Sequence, residues 1–386
     1  MSKQLRYIKH PLLQCMLYIY CVATTFGQQE HSALQLTLPP RIEAIIDVPM
    51  RVYFDNIVLT EIPHAYRFEI SCPVGVQDDR CWTLSAEKKD VGQHPLEVKV
   101  FDSSDSLVAS GSSVLRVCDD RAIASAEPMK LLIIGDSLTH ASAYPNEIAR
   151  LLTRSGCPDW RMLGTHRPTS AAEGVCHEGY GGWTWQRFVS HYEPKPDVKQ
   201  RKHSSPFVYL DQNAKPTLNL PKYFDEACDA ERPNYVVIML GINDCFGANP
   251  DEASAIDARI DSMFEHADRL LAAIREAAPK ATIGVCLTTP PNNRQEAFSA
   301  NYGDRYSRWG WKRIQHRLVQ RQIEHIEAKS DPQIEIIPTE LNLDPTNGYP
   351  DNNAVHPNTA GYQQIGATIF TWLACQPGKQ STSRTD

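Results

Sequence analysis

The chain has 386 residues, 42% of them apolar and 22% charged, with a formal net charge of −7. That is globular composition, with length for one large core or two ordinary ones, so no disulfide staples are needed for folding. The acidic balance argues against a nucleic-acid-binding surface.

Residues 1–27 place Lys3, Arg6 and Lys9 ahead of an apolar stretch, 12–26, that is followed by Gly27. The pattern reads as a cleaved export signal and makes the mature protein secreted or periplasmic. The stretch contains Gln14 and is shorter than the ~20 apolar residues of a spanning helix, and no later segment is long enough, so no transmembrane segment is expected after cleavage. Nine of the eleven cysteines lie beyond the leader, at 72, 81, 118, 157, 176, 228, 245, 286 and 375. In an oxidising compartment at least one of these stays unpaired within the chain. Cys72 and Cys81 are placed to bridge two strands, and Cys286, inside an apolar run, reads as a buried small hydrophobe. No Cys-x-x-Cys or His-x-x-x-His spacing occurs, so neither a metal site nor a cofactor is expected.

Residues 41–118 show short runs alternating with period two, clearest where Leu96, Val98 and Val100 are separated by Glu97 and Lys99. Turn signals such as Gln77-Asp78-Asp79 and Ser103-Ser104-Asp105 punctuate them. The segment is predicted to be a small antiparallel, immunoglobulin-like β-sandwich with no catalytic constellation. A polar link at 119–128 follows. From 128 to 376 the pattern changes to continuous apolar runs (131–134, 162–163, 235–240, 283–287 and 334–337) alternating with amphipathic stretches. Ile256, Ile260, Met263, Ala267, Leu270 and Ile274 mark one face of a helix; Trp311, Ile314, Leu318 and Ile326 mark another. A parallel sheet between helices, a three-layer α/β/α sandwich, is the expectation, with ligands beyond the carboxyl ends of its strands. Residues 377–386 read as a flexible tail.

Four short blocks fall at those strand ends. Gly135-Asp136-Ser137-Leu138 follows the first apolar run, in a turn that can hold a hydroxyl at the sheet mouth beside a helix N-terminus. Glu178-Gly179-Tyr180-Gly181-Gly182-Trp183-Thr184 offers glycines whose backbone N–H groups can approach a substrate oxygen closely. Gly241-Ile242-Asn243-Asp244 presents a side-chain amide donor suited to an oxyanion, with Asp244 fixing the loop. Val355-His356-Pro357-Asn358 places a general base and acid before the last helix. Taken alone each block has an ordinary reading: an N-capping serine, a turn that packs Trp183 and Trp185, a loop-fixing asparagine, a surface histidine. Their shared sheet edge and order make coincidence hard to sustain.

These residues resemble the SGNH hydrolases, also called GDSL esterases and lipases, over about residues 130–375. The resemblance implies a flavodoxin-like fold, with Ser137 as nucleophile, His356 as base, and Gly182 and Asn243 completing the oxyanion hole. Gly181 adjoins Gly182 and shares its chemistry. Ser137 lacks the Gly-x-Ser-x-Gly of the larger α/β-hydrolases. One departure stands out: the family's Asp three residues before the histidine is here Asn353. An amide oxygen can accept from the imidazole N–H but brings no charge. Either Asp351 supplies the carboxylate, or a backbone carbonyl orients the ring in a Ser–His dyad, the preferred expectation.

The function expected is hydrolysis of a carboxylic ester through an acyl-enzyme on Ser137, with a small-molecule or polysaccharide ester as partner and carbohydrate O-deacetylation foremost. Aromatic residues at 191–232 (Phe207, Tyr209, Tyr223) and at 288–311 (Phe298, Tyr302, Tyr306, Trp309, Trp311) either line a sugar-binding cleft or serve surface and core packing. The rivals are a short-chain acyl esterase or lipase, and a non-catalytic carbohydrate-binding or adhesion protein that lost turnover with the acid. Nucleotide binding fails because no Gly-x-Gly-x-x-Gly or P-loop pattern follows a strand.

Overall fold

The computed structural model of the protein describes residues 34–119, 128–154, 156–197 and 202–376. The expected leader (1–27) and tail (377–386) lie outside the described residues.

Seven strands form the amino-terminal part: β1 (Arg41–Ile45), β2 (Met50–Tyr53), β3 (Arg67–Ser71), β4 (Val76–Gln77), β5 (Cys81–Leu84), β6 (Gly92–Phe101) and β7 (Leu107–Cys118). They make a four-stranded sheet in the order β1-β7-β6-β3 and a three-stranded sheet in the order β2-β5-β4. The period-two pattern does what it must: Leu96, Val98 and Val100 are buried while Glu97 is exposed. Ile42, Phe54, Trp82 and Leu115 join them in a core of their own. The arrangement is not wholly antiparallel, because β1 pairs in parallel with β7, from Arg41 opposite Val114 to Ile45 opposite Cys118. A parallel pair needs a long crossover, and residues 46–106 supply it.

The proposed Cys72–Cys81 bridge is not formed. Cys72 follows β3 in one sheet, Cys81 begins β5 in the other, and both are free thiols. The disulfide instead joins Cys118, at the end of β7, to Cys375, after the last helix.

The larger part is built on β8 (Met129–Gly135), β9 (Trp160–Leu163), β10 (Glu178–Gly179), β13 (Tyr235–Met239), β14 (Thr282–Cys286) and β15 (Ile334–Ile337), with a small separate hairpin of β11 (Val208–Leu210) and β12 (Pro216–Leu218). All pairings in the main sheet are parallel; β9 lies along the first half of β8, and β10 along its end. Taken in chain order, the five long strands run 2-1-3-4-5, so the order reverses between β8 and β13. In an open sheet that reversal opens a crevice at the strand ends, which is where ligands bind. The predicted helix face is the buried one: Ile256, Ile260, Met263, Ala267, Leu270 and Ile274 all point inward from helix Ala253–Ala277. No helix among the described residues is long and apolar enough to cross a membrane.

The described residues form one compact unit, sewn together by polar contacts as well as by the disulfide. The buried Asn56 donates through Nδ2 to the carbonyl oxygens of Glu340 (2.7 Å) and Leu343 (2.8 Å). Arg80 pairs with Asp344 at 2.8 Å, and the buried Lys312 ammonium donates to the Asp55 carbonyl. Each contact joins the β-rich part to the helices and loops around the parallel sheet.

Candidate active site

Strand β8 ends at Gly135, where a Cβ would lie 1.9 Å from Thr139 Oγ1, so glycine is what lets Thr139 pack this closely on the strand end. Asp136 follows, almost wholly buried, and its Oδ1 accepts from the Leu138 N–H at 3.0 Å. Burial pushes its carboxyl up to about 7. Ser137 then opens the short helix Ser137–His140 and stands half-buried at the sheet mouth.

His356 arrives from the loop before helix Thr359–Ala374. Its Nε2 lies 2.9 Å from Ser137 Oγ, and its Nδ1 lies 3.1 Å from Asn353 Oδ1. The same Oδ1 accepts the backbone N–H groups of Val355 (3.2 Å) and His356 (2.9 Å). Those two donors fix which end of the amide is oxygen, so Nδ1 must carry the proton and Nε2 must present its lone pair to the serine hydroxyl. Burial of the ring lowers its basicity below the ordinary histidine range.

This corrects the expected way of orienting the ring. Asp351 is exposed and faces Arg294, with 3.5 Å between Oδ1 and Nε. The acceptor is the Asn353 side chain, in place of a backbone carbonyl or a carboxylate. The loop is braced from behind by Asn292, fully buried, whose Nδ2 donates to the carbonyls of Pro350 (2.8 Å) and Asn353 (2.9 Å).

Across the switch point, Asn243 sits just after β13. Its Nδ2 donates to the Trp183 carbonyl at 3.0 Å and to Asp136 Oδ2 at 3.2 Å. Both amide hydrogens are therefore engaged, and meeting an oxyanion requires releasing one. Gly182 is exposed with a positive φ of 75°, a conformation that favours glycine, and its N–H meets no acceptor among the described residues. Asp244 does the loop-fixing expected of it, accepting from the Trp185 N–H at 3.1 Å.

Three contributors were not visible in the sequence: Asp136, Asn292 and Glu178. Glu178 is completely buried, and its oxygens receive the Thr165 N–H (2.7 Å), the Thr165 hydroxyl (3.1 Å), the Tyr223 hydroxyl (2.7 Å) and the Tyr180 hydroxyl. Anchoring Tyr180 in this way holds the glycine loop beside Ser137. A carboxylate in a stretch of glycine and aromatic residues was the one sequence signal for it. The 191–232 aromatics do not form a cleft wall as a group, because Phe207 and Tyr223 are core residues and only Tyr209 is half-buried. Of the second set Phe298 and Trp311 are core, whereas Tyr302 and Tyr306 are half-buried and pack on Phe246, one turn beyond Asn243.

The GDSL-like lipase/acylhydrolase family model matches residues 133–364. No curated protein matches the chain. Among solved structures, the chain is similar to a family 3 carbohydrate esterase of Clostridium thermocellum, at 18% identity and a TM-score of 0.39, over 64% of this chain and 99% of that one. It is similar to a family 3 carbohydrate esterase from Talaromyces cellulolyticus, at 19% identity and a TM-score of 0.38, over 64% and 96%. A carbohydrate acetylesterase from Sinorhizobium meliloti matches at 15% identity and a TM-score of 0.38, over 64% and 98%.

Proposed function

The chain belongs to the GDSL-like lipase/acylhydrolase family, and from that premise we propose that it is an exported serine esterase that removes acetyl groups from carbohydrate. The carrying observation is the contact of 2.9 Å between Ser137 Oγ and His356 Nε2, with the tautomer set from behind by Asn353.

In the proposed reaction Ser137 Oγ attacks the ester carbonyl carbon as its proton passes to Nε2 of His356. The carbonyl oxygen becomes an oxyanion, received by the Gly182 N–H and by one Asn243 hydrogen withdrawn from its present acceptor. The imidazolium then gives its proton to the departing alkoxide oxygen, leaving acetyl on Ser137. Water, deprotonated by the same nitrogen, attacks the acyl carbon; the proton returns to Ser137 Oγ and acetate leaves. Asn353 holds the ring but adds no negative charge, so the imidazole is a weak base and its imidazolium a good acid. That suits protonation of a sugar alkoxide.

Three features support export and a carbohydrate substrate: the leader pattern at 1–27, the β-rich segment fused to the hydrolase part, and the half-buried Tyr302 and Tyr306. Tyr302, which packs on Tyr306, follows Asn301, whose Oδ1 lies 3.4 Å from the Ala354 N–H of the catalytic loop. The paired Ser137 and His356 weigh against a purely adhesive protein, since binding alone has no use for an activated hydroxyl.

Incubation of the protein with a serine-directed fluorophosphonate, beside Ser137→Ala, tests the chemistry: the parent is labelled and the variant is not. Labelling that persists in the variant defeats the assignment. Acetate release from acetylated xylan or pectin, against turnover of longer acyl esters, tests the substrate.

A further inference from the structure

A second concave surface lies outside the catalytic centre. It is a cleft of about 690 Å³, within the usual range of roughly 300–1,000 Å³ for ligand sites. One wall comes from the β-rich part, with Tyr66, Asp79 and Arg80; the other comes from the segment after β14, with Arg294, Glu296 in helix Gln295–Tyr302 and Arg308 at the start of helix Arg308–Ala328.

The walls are fixed relative to each other. Arg80 is tied to Asp344 across the seam at 2.8 Å, and Asn293 donates to Asp55 Oδ2 at 2.8 Å while accepting from Arg308 at 2.9 Å. A cleft held on both sides is preorganised, so a ligand need not order it on binding.

Its chemistry selects against ions. Four carboxylates, Asp55, Glu61, Asp79 and Glu296, share the lining with three arginines, and Arg80 and Arg294 already face Asp344 and Asp351, so no free basic cluster is left for an anion. What remains is a set of short-range donors and acceptors with little net field. Phe54 and Phe68, stacked with centroids 4.5 Å apart, are buried and form the floor, which leaves the half-buried Tyr66 as the aromatic surface open to a ligand. Fixed donors and acceptors beside one aromatic side chain match a ligand with vicinal hydroxyls on one side and C–H groups on the other.

The cleft also adjoins the catalytic loop. Arg294 donates to the Thr346 carbonyl at 2.7 Å and faces Asp351, two residues before Asn353. Its own N–H is accepted by Asn292, the residue that braces that loop.

We propose that this cleft binds a neutral segment of the polysaccharide whose ester is cleaved at Ser137, a reading that rests on the esterase assignment for its catalytic consequence. Occupancy there tethers the polymer and raises the local concentration of its esters at the catalytic centre, without altering the chemistry of a small ester.

The test starts from the intact protein carrying Ser137→Ala, titrated calorimetrically with xylohexaose and, as a charged control, with hexagalacturonate. Xylohexaose should bind in preference to the control. Adding Tyr66→Ala, or separately the surface substitution Asp79→Ala, should weaken binding by roughly fivefold or more, the loss expected for one aromatic or hydrogen-bonding contact. In the active protein the same two variants should raise KM on acetylated xylan while leaving 4-nitrophenyl acetate turnover within about twofold of the parent. Absence of xylohexaose binding, binding indifferent to both variants, or tighter binding of hexagalacturonate overturns the proposal. If the parent hydrolyses no ester, the esterase assignment fails, and the titration still decides the cleft.

Discussion

Asn353 holds His356 by its side-chain oxygen, 3.1 Å from Nδ1, and the two backbone N–H groups that share this oxygen leave it no freedom to turn. A neutral residue therefore does the orienting that a carboxylate does elsewhere, without its charge. Asn353→Ala removes the acceptor and frees the ring, and kcat should fall at least tenfold, about 1.4 kcal/mol, with KM little changed. Asn353→Asp keeps the acceptor and adds charge; it should raise kcat.

The pH profile separates these effects by sign. Burial lowers the His356 pKa, and no carboxylate opposes it. The neutral, basic form therefore persists to lower pH than for an unperturbed histidine, and the acidic limb of kcat/KM should lie below pH ~6.5. Asn353→Asp favours the imidazolium and should move that limb upward. A limb above the ordinary histidine value in the parent, or one unmoved by the substitution, contradicts this account of the ring's surroundings.

Asp351 carries the charge nearest in sequence, yet it is exposed and engaged with Arg294. Ester turnover in Asp351→Asn should drop by less than about tenfold. A loss of several orders of magnitude would mean that the loop rearranges to bring Asp351 to the imidazole.

For Asn243 the expected loss is catalytic. Asn243→Ala removes the proposed oxyanion donor, for which a fall of roughly 10²–10³ in kcat is typical. It also leaves Asp136 Oδ2 and the Trp183 carbonyl without their amide partner. Steady-state kinetics with 4-nitrophenyl acetate decides the point: a kcat within threefold of the parent would remove Asn243 from the oxyanion hole.

Glu178 predicts a loss of stability. Replacing it with Leu leaves the Thr165 N–H and the Tyr180 and Tyr223 hydroxyls without their buried acceptor. Each orphaned buried hydroxyl costs about 1–3 kcal/mol, so the two tyrosines alone should give a loss of at least roughly 2 kcal/mol in urea unfolding. An unchanged midpoint would mean that water or a neighbour satisfies these groups.

The sheet and its helices were legible because burial imposes a period: the inward face of helix Ala253–Ala277 can be counted off in the sequence. Ser137, Asn243 and His356 were legible because each follows a strand or precedes a helix. Buried polar residues leave no such trace. Lys312, Gln315 and His316 are buried on helix Arg308–Ala328, where the apolar pattern alone would put solvent. The partner of Lys312 is the carbonyl of Asp55, and Asn292 braces a loop about sixty residues further on, so only the fold reveals what these side chains are for. The same holds for Phe207 and Tyr223, whose polar surroundings in sequence hid their place in the core.

The cystine between Cys118 and Cys375 has a consequence for how the protein is made. Its partners are 257 residues apart, so when Cys118 leaves the ribosome its mate has yet to be synthesised. The thiols that emerge in between include Cys157, which is only half-buried in the finished fold and is open to mispairing until its surroundings close. Correct oxidation is thus a late event, possible only once Cys375 has been made, and cells that lack a thiol isomerase should yield less correctly paired protein than cells that have one.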